Sequence, residues 1–271
     1  VRVRVGVYHG TSSHQQQGAE LVASGVRRNG DVVIDFKGSE AIPDADVLVF
    51  WGHRNTRLIN HQKELGRDYL VMERAYLGDR FNWMSLGFNG LNGRADFVNE
   101  AAPSDRGDEW RGMLKPWTDD GHKIVVCGQV YTDAAILGLV NMPTWIAHMK
   151  NQCEAIYGLP VEIRAHPKYA AAQPPLEQQL IGAKACITFS SNSGVLAVMQ
   201  GIPTVTMDIG AMAYEVTSHD PGTLVRPDRT GWLDRLAYCQ WKPQEIQQGD
   251  AWAHLRRRYA HQRLSAGAAV S

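Results

Sequence analysis

The chain has 271 residues, 44% of them hydrophobic, and its 28 basic and 28 acidic side chains cancel to a formal net charge of zero. That length and apolar content suit one large or two modest domains with full cores, and the missing net charge leaves no global field to draw the molecule to nucleic acid or an acidic membrane. No apolar run approaches the roughly 18 residues of a membrane span.

Residues 1–8 (VRVRVGVY) alternate like a strand and end in His9-Gly10-Thr11-Ser12-Ser13. Residues 15–27 have helical spacing, with Ala19, Leu21, Val22 and Val26 on one side and Asn29-Gly30 as a stop. Strands are predicted at 31–36, 46–51 and 69–72, with a helix over 55–66. Strand and helix alternate, which argues for a parallel sheet and a Rossmann-like first domain spanning 1–102. Gly10 lacks the companion glycines of a dinucleotide fingerprint.

Residues 73–97 (ERAYLGDRFNWMSLGFNGLNGRADF) are rich in Gly and Asn and poor in periodic apolar positions. A loop this long is uncommon and often functional. Its aromatics interleave with Arg74, Arg80 and Arg94, a pattern able to stack on bases or sugars and contact phosphates. Arg80, Phe81, Trp83 and Arg94 are therefore acceptor-contact candidates. The structural alternative is an Ω-loop that packs its own aromatics over the sheet. Residues 103–122 are polar, Pro/Gly-punctuated and expected to be a linker.

The second domain is expected over 123–271. It opens with the strand KIVVCGQV, and its turn carries Gln129 and Asp133. A helix is predicted over 143–157 with Trp145, Ile146, Met149 and Ile156 as its apolar stripe. Then come three short β-branched runs (VEI, ACITF, TVTM), as expected of strands covered on both faces. The first ends in Arg164 and His166-Pro167, the next in Ser190-Ser191-Asn192-Ser193-Gly194. In open parallel sheets ligands bind beyond the carboxyl ends of strands. A hydroxyl-rich helix start has unpaired N–H groups and a favourable dipole for an anion. Taken alone, the Ser/Asn turn is equally an ordinary N-cap, and His166 an ordinary strand end. Residues 252–264 (WAHLRRRYAHQRL) read as a final helix whose Arg256-Arg257-Arg258 run is a solvated face or a phosphate contact. Cys127, Cys153, Cys186 and Cys239 lack the spacing of a zinc site or a disulfide framework. No signal-peptide pattern opens the sequence, so a reducing, cytoplasmic setting is expected.

Arg164, His166-Pro167, Thr188, Ser190, Ser191, Ser193, Gly194 and Gly201-Ile202-Pro203-Thr204 together resemble the donor-binding domain of GT-B glycosyltransferases, especially the bacterial β-Kdo transferases of capsule synthesis. The resemblance runs over residues 123–214, about a third of the chain. It departs where the family has Glu-Ala inside the helix after the serines, since Leu196-Ala197 stands here. The resemblance implies an α/β fold of two Rossmann-like domains with parallel sheets facing a cleft, and a final helix able to cross back to the first domain. It implies a nucleotide-sugar co-substrate, UDP-sugar foremost, with no tightly bound cofactor. Donor contacts would come from Gln129, Asp133, Arg164, His166, Ser190, Ser191, Asn192, Ser193, Gly194 and Tyr214. The acceptor would lie against the first domain, so Asp79, then His9, are the candidate catalytic bases, with His53 and Glu73 behind them. Asp44-Ala45-Asp46 has the spacing of the metal-holding pair in GT-A enzymes, but beside Pro43 it reads as a turn into a strand, and metal independence is expected. The Arg/aromatic segment also resembles tailed-phage glycosyltransferase sequences, which implies hydroxymethylated pyrimidines in DNA as the acceptor. A capsule or surface glycan is the rival acceptor. A non-catalytic nucleotide- or glycan-binding protein and a sugar-nucleotide epimerase are the other function classes.

Overall fold

The computed structural model describes residues 2–80, 82–170 and 172–259. They form two compact units: residues up to Leu91 with Ala95–Ala102 and the described residues from Tyr238 onward, and Asn92–Arg94 with Pro103–Ala237.

The first unit begins β1 (Arg4–His9), α1 (Ser13–Arg28), β2 (Val32–Lys37), β3 (Val47–Trp51), α2 (Thr56–Glu64) and β4 (Asp68–Arg74). β2, β1, β3 and β4 lie side by side and parallel, with Val5 paired to both Val33 and Val47, and Val49 to Leu70. Side chains alternate across a strand, so Val47 and Val49 of β3 pack with Ala19, Val22 and Val26 of α1. Leu48 and Phe50 pack with Leu58 and Ile59 of α2. A strand buried on both faces needs a continuous apolar run, which is what VLVFW supplies.

Residues 73–97 differ from the expected loop. They contain β5 (Met84–Phe88), buried at every position and antiparallel to β4, with Arg74 opposite Met84 and Leu70 opposite Phe88. Gly87 leaves room for Ala95 and Phe97, which a Cβ there would meet at 2.7 Å. The first sheet is therefore mixed rather than parallel. Tyr76, Trp83 and Phe88 are buried, as the Ω-loop alternative required.

The second unit contains α3 (Asp105–Arg111), β6 (Lys123–Cys127), α4 (Met142–Tyr157), β7 (Val161–Arg164), α5 (Leu176–Gln179), β8 (Ala183–Thr188), α6 (Ser193–Met199), β9 (Thr204–Thr206) and α7 (Thr230–Ala237). Its sheet is parallel throughout, in the order β7-β6-β8-β9. The buried stripe of α4 is Met142, Trp145, Met149 and Cys153. Ile156, expected in that stripe, is exposed.

Residues 103–122 belong to this unit rather than standing as a linker. Lys115 N–H donates to Met199 O at 2.9 Å and Thr118 N–H to Gly201 O at 2.8 Å. Gly201 sits at φ 76° with Pro116 O only 1.9 Å from where a Cβ would be, so only glycine fits.

From Tyr238 the chain returns to the first unit as β10 (Gln240–Trp241), α8 (Pro243–Gln248) and α9 (Asp250–Leu255). β10 pairs antiparallel with β5. The buried Gln240 accepts N–H bonds from Tyr76 (2.9 Å) and Leu77 (2.8 Å) and donates to Leu77 O (3.1 Å). Trp252 Nε1 donates to Asp31 at 2.7 Å, and Arg256 joins the same carboxylate at 3.2 Å. Arg258 forks onto Asp68 at 2.9 and 3.0 Å and also pairs with Asp96. Arg256 and Arg258 are thus structural anchors of this return, not a solvated face. The expected helix continues to residue 264, and its part beyond 259 lies outside the described residues.

Burial pushes the Asp68 carboxyl up, but hydrogen bonds from Arg258 and Asn89 hold it below the ordinary carboxylate value. A depressed folded value means that this stabilisation is present at neutral pH and fades as pH falls through about 4 and below. Arg258→Ala is expected to cost roughly 2–4 kcal/mol, read by denaturant titration at pH 7. The loss should shrink on acidification. An equal loss at pH 3 would contradict the ion-pair account.

Candidate functional site

In the second sheet the chain leaves β6 for β7 on one side and returns to β8 on the other. The topological switch therefore lies between β6 and β8, the position at which open α/β sheets bind ligands beyond the strands' carboxyl ends. Five of the expected donor residues, Gln129, Asp133, Ser190, Ser191 and Asn192, lie in the two loops that start there, and one side chain ties the loops together. Gln129 is 4% exposed, and its Oε1 accepts the Ser190 N–H at 3.1 Å and the Ser190 hydroxyl at 3.4 Å. Burying that amide fixes the Ser190–Gly194 turn against the loop after β6.

The turn itself is dictated by its sequence. The Ser191 hydroxyl accepts the Ser193 N–H at 3.2 Å, and Ser191 O accepts the Gly194 N–H at 3.0 Å. Ser191 thus satisfies two of the donors that a helix start leaves over. Gly194 is buried over the methyls of Thr188 and Thr206, 3.2 and 3.4 Å from where a Cβ would stand. Ser193 Oγ is buried towards the Cys127 thiol. Ser193 and Gly194 therefore shape the turn, while Ser191 and Asn192 are half-buried at its surface.

His166 follows the end of β7 and is half-buried, with its Nδ1 accepting the Lys168 N–H at 3.1 Å. That contact assigns the Nε2–H tautomer. The loops after β6 and β7 meet where Tyr131 and Tyr169 stack at 4.2 Å, the Tyr169 hydroxyl accepting the Tyr131 N–H. Asp133 accepts the Ala135 N–H at 3.0 Å and organises its own turn. Arg164 is directed elsewhere: its guanidinium donates to Pro174 O (2.7 Å) and Gln179 Oε1 (2.8 Å), bracing the start of α5.

At the end of β9, Tyr214 stacks on His219 with ring centres 3.6 Å apart, and His219 Nδ1 donates to Thr206 O at 3.1 Å. His219 was not singled out from sequence. Its only signal is a lone His before the Asp220-Pro221-Gly222 turn, and the 217–219 segment that runs beside β9 is too short to read. Arg94, expected at an acceptor surface of the first domain, belongs to the second unit. It forks onto Asp208 at 2.7 and 2.6 Å, directly after β9.

The remaining candidates lie in the first unit. Asp79 is exposed and accepts from Asn82 Nδ2 at 2.8 Å. His9 Nε2 lies 2.8 Å from Asp35, which also holds Arg27. His53 contacts the Tyr69 hydroxyl at 3.2 Å, and burial, with Lys63 nearby, lowers its pKa. Glu73 accepts the Arg74 N–H at 2.8 Å. Arg80 is exposed, Trp83 is buried with the Lys242 ammonium over its ring, and Phe81 lies outside the described residues. Asp44 pairs with Arg4 and Arg67, which hold its carboxyl below the ordinary range. Asp46 accepts the Arg4 N–H. Both carboxylates sit at the amino end of the strands, away from the edge where ligands bind.

No protein-family model matches the chain, and no curated protein matches its sequence. Among solved structures it is similar to two transferases of Thermosulfurimonas dismutans KpsC. With the beta Kdo 2,4 transferase the TM-score is 0.59 at 15% identity, covering 88% of this chain and 90% of that one. With the beta Kdo 2,7 transferase it is 0.55 at 13% identity, covering 94% and 100%. At such identities the likeness is one of fold, and the class it defines is the GT-B-like α/β architecture.

Replacing the Gln129 amide by a hydrocarbon strands the buried Ser190 N–H. Gln129→Leu is expected to lose about 1–3 kcal/mol and to speed amide exchange at Ser190–Ser193 selectively. Unchanged exchange there would show that the turn holds without Gln129.

Proposed function

We propose that the protein is a glycosyltransferase that moves a sugar from a nucleotide-sugar donor to a hydroxyl of a glycan acceptor. The observation that carries this reading is the polar turn at the switch between β6 and β8, fixed by Gln129, with His166 at the same carboxyl edge of the sheet, after β7. The likeness of the fold to two Kdo transferases supports it. In this reading Ser191, Asn192 and the His166 Nε2–H receive the donor phosphate and stabilise the charge that develops as it leaves. Tyr214 and His219 offer a flat ring pair to the rest of the nucleotide. Arg164 and Asp133 act at one remove, by holding the surrounding loops.

A glycan acceptor is favoured over hydroxymethylated DNA. Non-specific DNA affinity comes chiefly from cations meeting phosphates. Arg94, Arg256 and Arg258 are instead engaged by Asp208, Asp31, Asp68 and Asp96. Metal independence is part of the proposal: Asp44, the first carboxylate of the Asp-x-Asp pair, is held by two arginines. His166→Ala should weaken nucleotide binding about tenfold or more, the worth of one charge-assisted contact, by calorimetry in EDTA across uridine, guanosine and cytidine nucleotides, with an unchanged melting temperature. Wild-type affinity in that variant would remove His166 from the site.

Asp79 is the proposed base that deprotonates the acceptor hydroxyl. Asn82, which holds its carboxylate, also lines a concavity of the first unit. Asp79→Asn should lower turnover at least about a hundredfold, the usual range for loss of a general base, with nucleotide affinity retained. Normal turnover, together with a comparable loss in His9→Ala, would move the role to His9.

A further inference from the structure

The second sheet has two edges, and the chain treats them differently. At β9 the 217–219 segment runs alongside: Thr206 N–H donates to Ser218 O at 2.9 Å, and Ser218 N–H to Thr204 O at 3.1 Å. At β7 the edge is open. Ile124 N–H donates to Pro160 O and Gly128 N–H to Arg164 O, both at 2.9 Å. The even-numbered positions from 160 to 164 therefore turn their backbone groups toward β6. Val161 and Ile163 turn theirs outward, where no described residue bonds them. Gln173 Nε2 donates to Ala165 O at 3.0 Å and ends the open stretch. An open edge is a template for a further strand.

The side chains on this edge suit one strand in particular, a second β7. Val161 packs into the core with Met149 and Cys153 of α4, so Ile163, two residues on, faces the same side. Ile163 is 36% exposed, and Ile156, on the helix that packs against β7, is 43% exposed. The opposite face of β7 carries an acid and a base. Glu162 accepts from the Lys123 ammonium at 3.1 and 3.2 Å. Arg164 uses a single guanidinium nitrogen for both Pro174 O and Gln179, and the others bond no described residue. In an antiparallel pair of β7 strands centred on Ile163, position 162 of each copy lies opposite position 164 of the other. Acid then meets base twice, with isoleucine against isoleucine between them. Centring on position 162 would instead set two Glu162 carboxylates face to face, which is unfavourable.

We propose that two copies of the chain associate through β7, antiparallel about a twofold axis at Ile163, so that their four-stranded sheets become continuous. The Ile163 backbone groups of the two copies exchange hydrogen bonds, Glu162 of each faces Arg164 of the other, and Ile156 and Ile163 form an apolar strip along one side. The association needs no ligand and does not depend on the transferase reading. The test is sedimentation of the whole chain over a dilution series, without nucleotide. A concentration-dependent species of twice the 30.1 kDa chain mass is expected. Glu162→Arg and Arg164→Glu each set like charges across the axis and should weaken association at least about tenfold, with circular dichroism unchanged. Mixed in equal amounts, the two variants should pair with each other, because every 162–164 contact then joins opposite charges. Ile163→Cys reports the register. The two 163 positions form a hydrogen-bonded pair about 5.5 Å apart, within disulfide reach, and the native cysteines are buried. Diamide should cross-link Ile163→Cys and leave Val161→Cys as single chains. A chain that stays monomeric at every concentration, a dimer indifferent to both charge reversals, or cross-linking through Val161→Cys in place of Ile163→Cys would overturn the proposal.

Discussion

One buried amide organises the second unit. A parallel sheet whose chain runs to one side of its first strand and returns on the other leaves two loops diverging at the switch. Nothing in the strands themselves sets the distance between those loops. Gln129 sets it, through a carbonyl oxygen that accepts two bonds from Ser190 inside the protein. With that link made, Ser191 closes its own turn, Gly194 settles over the threonine methyls and α6 can begin. The polar surface left over is a consequence of how the backbone donors are satisfied.

The first unit meets a different constraint. Its sheet cannot end at β4, because the edge would be open and apolar, and the chain covers it twice: with β5, and then with the distant β10. Gln240 locks that return by satisfying three backbone groups of the 76–77 segment. The same return delivers Lys242 to Trp83 and Arg258 to Asp68. Closing a sheet edge and lining a concavity are therefore one event in the sequence, and charge at the concavity follows from which residues flank β10.

Much of the parallel architecture was legible from residue pattern, because strands such as VLVFW and KIVVC are apolar throughout and each is followed by a capped helix. The antiparallel pieces were not. MSLGF sits among glycines and asparagines, and Gly87 breaks its alternation for a packing reason that only Ala95 and Phe97 reveal. β10 is two residues long, below any periodic signal. At the candidate site, residue type marked the Ser/Asn turn and His166 but not direction. Arg164 has the right chemistry and strand position, yet Pro174 and Gln179 take its guanidinium. Arg94 reads as one of a series of loop arginines, and only Asp208, 114 residues further on, explains it. His219 became visible through its stacking on Tyr214, a contact that no local pattern encodes.

The central claim is that the carboxyl edge of the second sheet receives the phosphate of a nucleotide-sugar. A crystal structure of the protein soaked with nucleotide phosphates tests it most directly. The account predicts a phosphate within hydrogen-bonding distance of His166 Nε2 and of the Ser191–Asn192 turn, with the Gln129–Ser190 link intact. A nucleotide bound at the first sheet instead, or a phosphate held by carboxylate-bound metal away from this turn, would contradict it.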